Sequence, residues 1–408
     1  MSQSRFVILG GGMVAGYAAK QMVDLGLKPG ELTIVSADSS VPYERPPLSK
    51  GFLAGKDTED SIRINSKDFY REHGIEVRLG SEVSAVNPKR KQLVLKSGSE
   101  IGFDKLIVAT GARPRTLSVP GANLRNLHYL RSLEDSMAIR RRAENQKHAI
   151  VIGGGFIGME VAAVLAQKGI EVTMVLSEDR IWKRLFSPEM SGFFQGYYTT
   201  RGVRFIKNAN VTELRGVGVV NSVVIANGQA IPCEIVIAGI GVLPATEMLA
   251  NSGIEVGDGV LVNEFLEASQ PDVYAAGDVA NYQDLFFAKR RRVEHWDNAV
   301  SQGQYCARAL MGDRSPFKHV PYFFSDVFDL SYEYWGDSSG ADQIIHRGDL
   351  SSTSFSVWWL RQKQVVAAFT MNRPDEERGT APKWIEAKQN VVPERLENPK
   401  LNVSEAAS

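Results

Sequence analysis

Two stretches of this chain have the residue types and spacing to hold a nucleotide pyrophosphate. The first is Gly10-x-Gly12-x-x-Ala15, directly after the apolar run Arg5-Phe6-Val7-Ile8-Leu9 and opening a segment in which Ala15, Ala18, Ala19 and Met22 recur at helical spacing. The second is Gly153-x-Gly155-x-x-Gly158, after His148-Ala149-Ile150-Val151-Ile152 and before a helix expected to run through Leu165. In such a strand-turn-helix the first glycine permits the tight turn, and the second lets backbone approach the pyrophosphate. A small third residue lets the helix pack on the strand. The helix N-terminus supplies N–H groups and the positive end of a dipole. One such motif is weak evidence, whereas two, each in its strand-helix setting, imply two dinucleotide sites.

A site of this kind takes an acidic residue near the end of its second strand to bind a ribose hydroxyl. Asp38 is the candidate in the first copy, one place beyond Ala37, which stands at the nearer position. In the second copy Leu176 stands where the acid would be and Glu178 follows it. Glu178 would repel a 2′-phosphate and so favours NADH, while Arg180, Lys183 and Arg184 keep NADPH possible.

The two copies form an internal repeat at domain scale, and 408 residues are too many for one core. Second strands are expected at Leu32 to Ser36 and Val172 to Leu176, and further strands ending in glycine at 104–111 and 234–241. Asp272 to Asp278 reads as another buried strand ending in an acid, which returns the chain to the first domain. From about Pro321 the alternating aromatic segments Ser354 to Leu360 and Val365 to Phe369 suggest antiparallel strands. The expectation is an α/β protein with two doubly wound Rossmann-like dinucleotide-binding domains plus a smaller C-terminal α+β domain. The first domain is expected at 1–112 and 245–320, the second at 113–244, the third at 321–396, and a loose tail at 397–408.

Lys plus Arg and Asp plus Glu number 47 each, so no global field draws the chain to nucleic acid or an anionic membrane. The N-terminus runs straight into a strand, and no stretch has the roughly 18 uncharged apolar residues of a membrane helix, so a cytoplasmic location is expected. Cys233 and Cys306 lie far apart, with no C-x-x-C, and are expected to be buried and reduced. No metal site is assigned.

The segments Val41-Pro42-Tyr43-Glu44-Arg45-Pro46-Pro47-Leu48-Ser49-Lys50, Ala109-Thr110-Gly111-Ala112-Arg113-Pro114 and Ala276-Gly277-Asp278 together resemble the pyridine-nucleotide flavoprotein superfamily. The P-P-L-S-K form resembles the branch of NADH-dependent ferredoxin reductases, apoptosis-inducing factor and monodehydroascorbate reductase. The resemblance runs from Phe6 to about Val392. It implies that Gly10, Gly12 and Ala15 hold the pyrophosphate of FAD, that Arg45 and Lys50 line the isoalloxazine, and that Asp278 bonds the ribityl chain. Arg113 and Arg131 resemble further flavin-side positions. A lysine by the flavin ring would stabilise electron density arriving there, and Glu160 matches a glutamate that pairs with it beside the nicotinamide. Glu294 to Gly303 resembles the E-x-W-x-N-A-x-x-Q-G segment of ferredoxin reductases, in which Trp296 would pack against the flavin.

The implied reaction is hydride transfer from NADH (NADPH possible) to the flavin, followed by electron delivery to an outside acceptor, since no cysteine lies where a dithiol or single-thiol reductase needs one. The leading acceptor is a small iron-sulfur carrier, ferredoxin or rubredoxin, supported by the E-x-W-x-N-A-x-x-Q-G match and by Phe324-Ser325-Asp326, which resembles the W-S-D of that branch. Basic runs at Lys289 to Arg292 and Arg140 to Arg142 are candidate docking patches. Monodehydroascorbate reductase is the alternative, although Val300 and Phe324 replace the arginine and tyrosine with which that family holds its anionic radical. An NADH-sensing flavoprotein like apoptosis-inducing factor is the third reading. Monomer and homodimer both stay open.

Overall fold

The computed structural model describes residues 3–183 and 185–408. The chain divides into two compact units: 1–45, 58–113 and 243–321 form the first, and 46–57, 114–242 and 322–408 the second.

The first unit is built on a seven-stranded sheet in the order Glu76–Arg78, Leu32–Val35, Gln3–Leu9, Glu100–Val108, Gln92–Leu95, Val83–Asn87, with Val273–Ala275 also paired to Glu100–Val108. Gln3–Leu9 pairs in parallel with both Leu32–Val35 and Glu100–Val108, so both of its edges are paired, and Phe6 to Leu9 are buried without alternation, as in a strand covered on both faces. The helix Met13–Asp24 lies on the sheet through Val14, Ala15, Ala18, Ala19 and Met22. The long helix Trp296–Leu310 packs on that helix so closely that a Cβ at Gly303 would lie 2.8 Å from the Val14 carbonyl oxygen. Leu9, Val108 and Ala275 stand in register. Everything that follows them therefore emerges at one edge of the sheet: the Gly10–Gly12 turn, Gly111, and Gly277-Asp278.

The second unit repeats this plan with a five-stranded parallel sheet, Val203–Ile206, Glu171–Val175, His148–Ile152, Ile235–Ala238, Leu127–His128. Its helix Phe156–Gln167 buries Met159 and an apolar length from Val161 to Leu165, with Glu160 buried between them. A second, antiparallel sheet runs Tyr322–Val327, Leu330–Gly336, Gln364–Met371, Phe355–Arg361, Gln343–Gly348. One apolar cluster joins it to the dinucleotide-type layer, with Trp182, Phe186 and Phe194 against Tyr332 and Phe369. This shared core is why 114–242 and 322–408 fall in one unit rather than two. The segment Pro46–Asp57 joins them, because Leu53 is buried in the same cluster and Ser136 Oγ bonds the Leu48 carbonyl at 2.7 Å.

Two expectations are corrected. The strand expected to carry Asp278 ends at Ala275, and Asp278 sits in the following 3-10 turn Gly277–Val279. The tail is not loose. Val403 and Ala406 are buried, Val392 N–H donates to the Ala406 carbonyl at 2.8 Å, and buried Arg347 donates to the carbonyls of Leu396, Asn398 and Leu401. The polar composition of 397–408 concealed this, because the guanidinium that orders it lies some fifty residues upstream.

Among the described residues no helix is long and apolar enough to cross a membrane.

Candidate dinucleotide and redox site

The two glycine turns have matching geometry. Gly10 has φ +125° and Gly153 φ +103°, and an added Cβ would lie 2.1 Å from the Ala109 carbonyl oxygen and 2.2 Å from that of Gly239. Only glycine fits at either place. Gly12 and Gly155 then cap the helices without any side-chain capping bond. A Cβ at Gly155 would meet nothing within 4 Å, and at Gly12 only Arg45 Nη2 at 3.8 Å. Both helix N-termini thus face open space with their first-turn N–H groups uncapped, which fits a phosphate-bearing ligand at each. Ala15 is buried; its counterpart Gly158 is tighter, since a Cβ there would be 2.4 Å from the Gly153 carbonyl oxygen.

In the first unit Asp38 is held on both carboxylate oxygens, with Ser40 N–H on one at 3.1 Å and Tyr43 OH on the other at 2.8 Å. Arg45 Nη2 lies 3.8 Å from Asp38 Oδ2, and its guanidinium sits 4.7 Å from the Tyr43 ring centre. Arg45 therefore stands beside the first glycine turn and Asp38.

Asp278 lies at the sheet edge described above, and its carbonyl accepts from Arg292 Nη1 at 3.1 Å. Arg113 pairs with Glu247 at 2.6 Å on an open surface, and Glu294 pairs with Arg292. Trp296 opens its helix, and its indole N–H donates to Glu44 Oε2 at 2.5 Å. The other oxygen of that carboxylate accepts from Tyr17 OH at 2.6 Å, and the Tyr17 and Trp296 rings meet edge to face. Burial, with Glu44 adding to it, pushes the Tyr17 phenol well above its ordinary value. Glu44 is a site residue the sequence reading passed over. Its place in Tyr43-Glu44-Arg45 was visible, but Trp296, its partner 252 residues away, was not visible as such.

In the second unit Lys50 and Glu160 come together. Lys50 Nζ is 2.7 Å from Glu160 Oε1, Ser325 Oγ donates to the same oxygen at 2.5 Å, and Ser49 Oγ donates to Oε2. Glu160 is 4% exposed although it lies in the first turns of a helix. The carboxylate survives burial because three donors from two segments meet it. Phe324 places its ring centre 5.7 Å from Lys50 Nζ. Tyr332, buried close to Glu160, has its phenol driven far up by burial first and by that carboxylate second. Ser49 and Ser325 were quoted in sequence motifs but not singled out.

Arg131 lies at the entrance of the helix Leu133–Ala143, its backbone N–H on Asp135 at 3.0 Å. Glu178 follows the strand Glu171–Val175, and its carbonyl accepts from Asn208 N–H at 3.1 Å. Arg180 and Lys183 both pair with Asp179, and Arg184 lies outside the described residues.

The basic runs are not open patches. Arg290 donates to the carbonyls of Val262 and Asn281, Arg291 pairs with buried Asp284, and Arg292 pairs with Asp258 and Glu294. Arg140 is spent on the Phe52 carbonyl and ring, leaving Arg141 as the exposed member of its run. Both cysteines are buried, and burial pushes the Cys233 thiol up to about 12 and that of Cys306 further.

Residues 4–303 match the family model described as pyridine nucleotide-disulphide oxidoreductase, and residues 322–407 match the reductase C-terminal model. The peroxisomal monodehydroascorbate reductase 1 of Oryza sativa is 37% identical over 89% of this chain and 82% of its own. The ferredoxin reductase subunit of a 5,5'-dehydrodivanillate O-demethylase from Sphingobium sp. is 37% identical over 90% of each. Among solved structures, a covalent putidaredoxin reductase-putidaredoxin complex matches with TM-score 0.94 at 32% identity, covering 99% of this chain and 98% of that one. The ferredoxin reductase for the CYP199A2 system of Rhodopseudomonas palustris matches with TM-score 0.94 at 31% identity over the whole of both chains.

Proposed function

Because the chain belongs to the pyridine nucleotide-disulphide oxidoreductase family, whose reductases use FAD and NAD(P)H, we propose that it oxidises NADH and passes electrons to a ferredoxin-type iron-sulfur protein. When bound, FAD supplies acceptance of a hydride and its onward release as electrons. The chain's own residues do the rest.

The Gly10–Gly12 turn and the uncapped helix behind it hold the FAD pyrophosphate, with Arg45 adding positive charge there. Asp38 takes a ribose hydroxyl, and Asp278 the ribityl chain. Gly153, Gly155 and Gly158 form the corresponding seat for NADH, with Glu178 at its ribose. Trp296, fixed through Glu44, supplies a rigid aromatic wall that excludes water. Lys50 brings positive charge to the ring system, and Glu160 fixes that charge in place. Arg113, Arg131 and Glu294 flank the flavin side.

The observation that carries this reading is the pair of open, glycine-capped helix N-termini together with two buried, proton-holding thiols. Two dinucleotides can be seated, and no cysteine is available as a relay, so electrons leave directly. The iron-sulfur acceptor is supported by the ferredoxin reductases among the relatives and solved structures. Phe324 supports it too, since an apolar ring beside Lys50 offers an anionic small radical no hydrogen bond.

Monodehydroascorbate reduction is the second reading, favoured by 37% identity to the rice enzyme. Anaerobic NADH titration of the purified flavoprotein should bleach its visible absorbance. Added ferredoxin should then multiply NADH-dependent cytochrome c reduction, whereas ascorbyl radical from ascorbate oxidase should leave NADH oxidation unchanged. Stimulation by the radical with none by any iron-sulfur carrier would reverse the ranking.

A further inference from the structure

Asp179 occupies a position that the nucleotide motif does not account for. It follows Glu178 on the loop after the strand Glu171–Val175, and this loop is pinned at two points: Ala209 N–H donates to the Leu176 carbonyl at 2.8 Å and Asn208 N–H to that of Glu178 at 3.1 Å. On that fixed backbone Asp179 Oδ1 lies 3.0 Å from Lys183 Nζ and Oδ2 lies 3.5 Å from Arg180 Nη1. Arg180 is turned further back by donating Nη2 to the Lys183 carbonyl at 3.3 Å, and Glu189 is a second acid in its field. The carboxyl of Asp179 is held below the usual carboxylate range, by the Lys183 hydrogen bond first and then by the charges of Lys183 and Arg180.

We infer that Asp179 is a specificity-determining residue: it ties back the two cations that follow Glu178 in its loop, Arg180 and Lys183, so that the second dinucleotide site rejects a 2′-phosphate. The inference rests on the reading of Gly153 to Glu178 as the NADH seat. A 2′-phosphate needs Arg or Lys to meet it. Here both described candidates, Arg180 and Lys183, are already turned toward a carboxylate, and Asp179 places a second negative charge next to Glu178 in the same loop. Each ion pair is exposed and worth little to stability. Its consequence falls on charge recognition, because replacing the carboxylate changes the local charge by one unit and frees two cations together.

The test measures binding without turnover. Oxidised holoenzyme is titrated calorimetrically with ADP and with 2′,5′-ADP, in wild type, Asp179→Asn and the triple variant Asp179→Asn, Arg180→Gln, Lys183→Gln. The expected result is that Asp179→Asn tightens 2′,5′-ADP about tenfold, the size of one screened charge contact at the surface. ADP should change by less than about twofold, and the triple variant should lose the gain. The inference is overturned if Asp179→Asn binds ADP normally with no gain for 2′,5′-ADP, or if the gain survives in the triple variant. Wild-type protein that binds neither ADP nor NADH would instead overturn the nucleotide reading itself, and this inference with it.

Discussion

Lys50 Nζ stands 2.7 Å from Glu160 Oε1, with the two side chains 17% and 5% exposed, so the pair is shielded yet retains an open side. Removing one member of such a pair strands the other charge. Glu160→Leu should therefore destabilise the protein by about 3 kcal/mol and slow flavin reduction by NADH, because the Lys50 ammonium loses its fixed position. Glu160→Gln, which keeps hydrogen-bonding groups for Ser49 and Ser325, should cost less. Urea melts and anaerobic stopped-flow absorbance check both effects. A Glu160→Leu protein with unchanged melting and unchanged flavin reduction would remove the pair from the mechanism.

Glu44 serves two aromatic donors, Tyr17 OH and Trp296 Nε1, one on each oxygen. Glu44→Leu leaves both without that acceptor, at a cost of about 2 kcal/mol for partly buried groups. Glu44→Gln keeps one carbonyl oxygen and should lie between. The readouts are the urea midpoint and the rate of electron delivery to the acceptor, compared with flavin reduction by NADH measured separately. If Trp296 serves as the wall proposed for it, the Leu variant slows delivery more than it slows reduction.

Much of this architecture was legible because its causes are local. Gly10, Gly12, Gly153 and Gly155 announce their turns, and the unbroken apolar runs Phe6 to Leu9 and Ala149 to Ile152 announce parallel strands covered on both faces. What was not legible depends on partners remote in sequence. Asp284, Asp258 and Glu294 convert the Lys289 to Arg292 run from a basic patch into a paired strand. Ser325 reaches Glu160 across 165 residues, and Trp296 reaches Glu44 across 252. Arg45 and Lys50 share one motif, yet Arg45 belongs to the first compact unit and Lys50 to the second.

Alkaline pH should unfold the protein through protons that the fold retains. Burial pushes the Cys233 thiol from 9.0 up to about 12 and the Tyr70 phenol from 10.0 up to about 12. In the unfolded chain both groups ionise at their ordinary values, so above those values the folded state binds more protons and stability falls as pH rises. The loss begins near pH 9 with the thiols and steepens near 10 as phenols join, and the Cys233 and Tyr70 shares of it stop growing near 12. Each group contributes a slope of about 1.4 kcal/mol per pH unit inside its window. Cys233→Ala should lower the slope of the decline between about pH 9 and 10 without moving its onset, because Cys306 also starts there, and the double variant Cys233→Ala, Cys306→Ala should move the onset to about 10 in urea midpoints taken across that range. An onset that stays near 9 in the double variant would show that the thiols ionise freely in the fold. The same variant, and Cys306→Ala, should keep NADH oxidation, since neither thiol takes part in it.

The C-terminal segment should be integral to the second unit. Arg347 is 3% exposed in its side chain and directs Nε to Glu377 at 3.3 Å, Nη1 to the Leu396 carbonyl at 3.1 Å and the Asn398 carbonyl at 2.5 Å, and Nη2 to the Leu401 carbonyl at 2.5 Å. Deleting residues 398–408 removes two of those acceptors and uncovers the surfaces that Val403 and Ala406 bury. The guanidinium is then left under-satisfied in an apolar layer, at a cost of about 3 to 5 kcal/mol. Arg347→Met in the full chain should cost less, because Glu377 keeps Arg373 at 2.7 Å and Ser356 as partners. The diagnostic result is the combination: with the tail already deleted, Arg347→Met should restore part of the lost stability by removing the stranded charge. Urea melts of the four proteins measure this coupling directly. Additive losses would mean that Arg347 and the tail act independently, and an unaffected deletion protein would return 398–408 to the status of a loose end.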